Sequence, residues 1–187
     1  MEEGHFLQSW DYSLGRYCNI VVVSQPNQPT KPTNQPARDY TMATLQLYNH
    51  TAQRFMSGAN ATTDTYKVML LNATATFNAA HTTLSEVSNA NAYEVFGNGW
   101  TQLGEALTSV VVSLITANDA MFDAADISKA ISGGNLGPYK ALVVYNDTDT
   151  NDPPVVYLQL TTETTTVDGT SVVIQWPSTG LVTGTVA

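Results

Sequence analysis

From Tyr139 to Leu160 the chain reads YKALVVYNDTDTNDPPVVYLQL, and this stretch leaves little choice of fold. Two apolar runs rich in β-branched and aromatic residues, Ala141 to Tyr145 and Val155 to Leu160, flank a loop of Asn, Asp and Thr that ends in Pro153-Pro154. That order of residue types is the signature of a long-looped hairpin in an antiparallel sheet. In the second run Val156, Leu158 and Leu160 share one face while Tyr157 and Gln159 share the other. A period of two belongs to a strand with one dry and one wetter side.

The rest of the chain agrees with an all-β reading. Leu45 and Leu47 alternate with Thr44 and Gln46, and His50 to Met56 has room for about two helical turns before Ser57-Gly58 ends them. Tyr66 to Leu71 alternates weakly, as a central strand touched on both faces does. Thr83 to Val87 suits one helical turn, and Tyr93 to Trp100 reads as a strand breaking into a Gly-rich turn. Between Leu103 and Leu114 two signals conflict. Leu103, Leu107, Val110, Val111 and Leu114 recur at helical spacing, yet Thr108 to Thr116 is dominated by β-branched residues that lose rotamer freedom in a helix, which favours strand. Asn118 to Asp123 is expected as a short strand, Ser132 to Pro138 as a loop, and Val172, Ile174 and Trp176 alternate before a final strand from Leu181 to Val186. About eight strands suffice for two packed antiparallel sheets. The expected architecture is a β-sandwich, jelly-roll-like, with one or two short helices and an extended N-terminal arm.

At 187 residues the chain is long enough for one ordinary core. Composition divides it into residues 1–41, a Pro-rich arm or linker, and residues 42–187, the β-sandwich domain. Between Ser24 and Pro36 a proline recurs every three or four residues among polar neighbours, which excludes helix and central strand and favours extended polyproline II. Three readings stay open for the arm: a tether whose aromatic head, Phe6, Trp10, Tyr12 and Tyr17, docks on a partner; a disordered tail; or an over-extended reading of a gene whose product begins at Met42.

Only 12% of residues are charged, against roughly 25 to 35% on an ordinary free surface, so much of this surface is expected to be covered. The net charge of −9, with seven scattered Lys and Arg, argues against nucleic-acid binding, which needs clustered cations. No apolar run approaches the roughly 20 residues that span a bilayer, and the N-terminus lacks the order of a signal peptide; the expectation is a soluble protein made in a cytoplasm, with no membrane partner. The single cysteine, Cys18, cannot form an internal disulfide. Asn49, Asn60, Asn72 and Asn146 each head an Asn-x-Thr triplet, as chance provides in a chain this rich in Asn and Thr.

No constellation discloses a reaction. His5, His50 and His81 lack the mutual spacing of a zinc site, no Gly-x-Ser-x-Gly occurs, and Gly97-Asn-Gly99 is too short for a phosphate cradle. No cofactor and no catalytic residue is expected. The acidic loop offers Asp147, Asp149 and Asp152 as oxygen donors for Ca²⁺, but it has neither the glycine nor the distal glutamate of an EF-hand, and Asp suits turns in any case. Trp100, Trp176, Tyr66 and Phe122 are expected core. Tyr139, Tyr145 and Tyr157 fall on the less dry face, and for them core and contact with a neighbouring subunit are equally open.

From Met42 onward the order of pieces resembles a family of small virion structural proteins of tailed bacteriophages. The likeness rests on ATLQLYNHTAQRFMSG, on Asp64 to Val68, on Glu94 to Thr101 with Gly104 after it, on Asn118 to Asp126, on the strand ending Val144-Tyr-Asn-Asp-Thr, and on Ile174-Gln-Trp176 followed by Ser178-Thr-Gly180. These are turn and core residues, so the resemblance implies a shared fold more than a shared chemistry. It implies a capsid decoration or cement protein, not an enzyme, that binds the major capsid protein or other virion proteins and resides in the virion after assembly in the host cytoplasm; self-association as a dimer or trimer is the expectation that the scarcity of surface charge adds. The alternative is a tail or head fibre module that recognises host glycan.

Overall fold

The computed structural model describes residues 17–23, 40–117 and 119–185. Its elements are β1 (Tyr17–Val23), β2 (Tyr40–Leu47), α1 (Thr51–Met56), β3 (Tyr66–Leu71), α2 (Leu84–Ser88), β4 (Glu94–Val95), β5 (Glu105–Ala106), β6 (Val111–Leu114), β7 (Asp119–Asp123), β8 (Ile127–Ala130), β9 (Leu136–Asn146), β10 (Pro154–Thr166), β11 (Ser171–Ile174) and β12 (Val182–Thr185). The fold is all-β and antiparallel, with short helices only. Nine strands form one sheet in the order β4-β3-β9-β10-β2-β1-β11-β8, with β5 beside β4 on the outer edge of β3; a second sheet has the order β12-β7-β6.

The hairpin of β9 and β10 is the middle of the large sheet, and its pairing sets Leu142 against Leu158 and Val144 against Val156. On one face Val68, Leu70, Leu142, Val144, Leu158 and Leu160 pack with Trp100, Phe122, Ile174 and Trp176 in one apolar cluster. Phe122 belongs to the small sheet, so the two sheets share this core in a sandwich-like way. On the other face Met69, Leu71, Ala141, Val143, Tyr145 and Tyr157 pack beneath Tyr48, Ala75, Leu84 and Val87. Each Leu or Val wholly removed from water stabilises the fold by about 1.5–3 kcal/mol, so a sheet dry on both faces is where this chain's stability is concentrated.

That second dry face corrects the expectation of a wetter side on β10. The chain between β3 and β4, poor in periodicity, is what covers it. Its α2 is held by a capping box in which the Thr83 hydroxyl accepts from the Glu86 N–H and the Glu86 carboxylate accepts from the Thr83 N–H. The Leu84 N–H also donates to the Asp152 carbonyl at 3.1 Å, which stitches this cover to the hairpin loop.

Other boundaries moved as well. β9 begins at Leu136, inside the expected loop 132–138, because its first residues pair with Thr164 and Thr166 beyond a register shift in β10. Lys140 Nζ donates to the Thr161 carbonyl at 2.6 Å across that shift, and Gln159 Nε2 donates to the Lys140 carbonyl at 2.9 Å. Trp176 lies past the end of β11 yet stays buried, its Nε1 donating to the Ala125 carbonyl at 3.0 Å. The residues from 103 to 114 are not helical; β6 is a strand, as the β-branched content favours. β8 was not anticipated, and neither was β1. The latter lies within residues 1–41, between β2 and β11, so part of the stretch that composition assigns to an arm is a strand of the large sheet.

Two glycines are fixed by close approach. At Gly104, with φ +88°, a Cβ would stand 2.3 Å from the Val68 carbonyl oxygen, and at Gly180, with φ +79°, it would stand 2.7 Å from that of Phe122. Any side chain there displaces a neighbouring strand.

Candidate interaction surface

The small sheet meets the main core through Phe122, Leu181 and Val182 and leaves its β6 side open. Phe122 of β7 packs against Phe55 of α1 and Tyr66 of β3, with ring centroids 4.8 and 4.9 Å away. The Leu181 N–H donates to the Phe122 carbonyl at 2.8 Å and leads the chain into β12. Beyond this anchor the layer between α1 and the small sheet is unfilled. A groove of about 320 Å³ opens there, lined chiefly by Phe55, Met56, Val112, Leu114, Ala120 and Phe122. Leu114 is 73% exposed, Met56 71% and Val112 51%. Single exposed apolar residues are ordinary, but these line one groove together, and a contiguous apolar patch marks an interaction site.

The backbone at β6 is also open. Ile115 N–H donates to the Asp119 carbonyl at 2.8 Å in the register that pairs Val111 with Asp123, and antiparallel ladders alternate bonded and non-bonded pairs. Val111 and Ser113 therefore aim their peptide groups at β7, while Val112 and Leu114 aim theirs outward. Among the described residues no strand pairs with that outer edge. Proteins usually guard such an edge with Lys, Pro or a bulge. Here no charged residue and no proline occurs between Glu105 and Asp119.

The tyrosines offered as contact residues are elsewhere. Tyr139 and Tyr157 are fully buried and Tyr145 is 1% exposed, so they are core residues and touch no neighbouring subunit. Each phenol has an internal partner: Tyr139 with the Thr166 hydroxyl at 2.9 Å, Tyr157 donating to the Ala75 carbonyl at 3.1 Å, and Tyr145 donating to the Leu103 carbonyl. Burial pushes the Tyr139 and Tyr157 phenols up to about 12 and raises that of Tyr145 as well. Phe6, Trp10 and Tyr12 lie outside the described residues; the backbone of Tyr17 opens β1, and its side chain lies outside them too.

The acidic loop is a clasp. Asp147 pairs with Lys67 at 2.8 Å and Asp149 with Arg54 at 2.7 Å. Arg54 also donates to Asn60 Oδ1 at 3.1 Å, and buried Asn146 donates to Asp64 Oδ2 at 2.8 Å, so the loop is tied to the segment after α1. The Arg54 guanidinium holds the Asp149 carboxyl below the usual carboxylate range, whereas burial raises Asp152. Among the described residues no three His, Cys, Asp or Glu side chains gather as a metal site, and Asp147, Asp149 and Asp152 do not converge as the calcium reading requires. His50 sits with Nε2 at 2.9 Å from the Pro154 carbonyl. Two of the Asn-x-Thr asparagines, Asn60 and Asn146, are buried.

One buried acid went unnoticed in the sequence. Glu94 accepts from the Leu103 N–H through Oε1, its Oε2 has no hydrogen-bond partner, and burial raises its pKa. Its position in an otherwise apolar strand was the available signal. Neither a protein-family model, nor a curated protein, nor a solved structure matches this chain.

Proposed function

We propose that this chain is a non-enzymatic structural protein of a virion, a decoration or cement protein that binds the head shell through subunit contacts. The scaffold is a sandwich-like, on this reading jelly-roll-like, pair of sheets whose dry centre gives it rigid outer surfaces. The observation that carries the proposal is the uncovered apolar surface along α1 and β6 on a chain of such low charge. Contact surfaces of this kind are apolar at their centre and poor in charge, and many copies on a symmetric shell make weak contacts collectively strong.

The test is an image reconstruction of purified virions of the virus that encodes the chain. Density fitting this fold on the head shell is the expected result. Absence of the chain from purified particles, or density confined to a fibre tip together with glycan binding on an array, overturns the decoration role.

A further inference from the structure

We propose that a second copy of this chain covers the open edge of the small sheet, β6 pairing antiparallel with β6 of its partner about a two-fold axis. The proposal rests on reading this face as a contact surface, and it names the occupant.

The edge itself selects the occupant. Val112 and Leu114 present outward peptide groups in the alternation fixed by the Ile115–Asp119 bond, and an antiparallel strand meets such an edge with the same alternation. Two identical edges satisfy each other: the Val112 N–H and C=O of one copy face Leu114 of the other, and Leu114 faces Val112 in return. This is the self-complementary contact a two-fold axis demands.

Charge points the same way. The chain carries −9, so two copies repel wherever their acidic surfaces approach. The run from Ala106 to Asn118 has no charge, so copies can meet there without opposing carboxylates along the strand. Side chains complete the fit. Val112 and Leu114 line the groove against α1, and pairing the edges would join both grooves into one apolar layer in which each copy's Leu114 and Met56 lose their exposure to water. The product is a continuous sheet in the order β12-β7-β6 followed by its two-fold mate.

Sedimentation velocity on the full chain over a dilution series tests this. The expected result is a species of twice the chain mass that dissociates on dilution. Two variants locate the contact. Leu114→Glu puts like charges into the shared layer, and Val112→Pro removes an outward N–H without touching the ladder to β7, a placement an edge strand tolerates. Both are expected at single-chain mass with unchanged circular dichroism. A chain that stays monomeric at every concentration, a trimer, or a dimer that survives both variants overturns the pairing. A dimer lost in both variants, from a chain absent from virions, keeps the pairing and removes the virion role.

Discussion

The centre of the large sheet and the outer strand of the small one are built from the same kinds of residue, and the molecule treats them in opposite ways. β9 and β10 bury Val, Leu and Tyr on both faces, under the small sheet on one side and the 72–93 segment on the other. β6, with Val111, Val112 and Leu114 exposed and Ser113 half-buried, lies open. Hydrophobic composition therefore does not tell how deeply a strand lies. What decides is whether the chain supplies a second layer, and over β6 the described residues leave a groove.

Substitutions can break that comparison. The largest loss is expected for Leu158→Ala at the centre of β10, about 2–5 kcal/mol by chemical denaturation, because a cavity opens where neither layer can collapse. Tyr157→Phe keeps the ring and removes the bond to Ala75; about 1 kcal/mol is expected, and a larger loss would show that the 72–93 cover hangs on this one hydroxyl. Glu94→Gln sharpens the picture through pH. The folded-state pKa of Glu94 is raised, so its contribution to stability is intact below the ordinary carboxylate range and is lost as pH rises through the raised value. The amide keeps an acceptor for Leu103, so the variant should melt higher than the parent at neutral pH and converge with it in acid. Smallest is Leu114→Ala, within about 0.5 kcal/mol for the isolated chain, since its side chain already faces water. A loss like that of Leu158 would mean that β6 is no open edge.

The period of two made β10 legible, and β-branched apolar runs beside turn residues did the same for β3 and β9, because both are local properties of the chain. Bulk and apolarity named Tyr66, Trp100, Phe122 and Trp176 as core, and all four are buried. Alternation placed Tyr157 on a wetter face that is dry, for it separates two faces without saying what covers each. The cover is a run of Asn, Ala and Thr whose packing on Met69 and Tyr157 depends on partners distant in sequence. The role of the acidic loop was hidden for the same reason. Asp147 and Asp149 are claimed by Lys67 and Arg54, which lie far upstream, and a composition suited to calcium is equally suited to an ionic clasp. β1 was obscured by its neighbours, since the prolines that follow Val23 made the whole N-terminal stretch read as extended tether.

The position of β1 makes it a keystone. Among the described residues β11 and β8 pair with the remainder of the large sheet only through it, so a chain shortened to start at Met42 would lose more than an appendage: the sheet would fall into two blocks with a slot between β2 and β11. Such a slot has the shape of the missing strand. A synthetic peptide spanning Tyr17 to Val23 could then be offered back, which turns the N-terminal strand into a removable part whose return can be followed as a binding event.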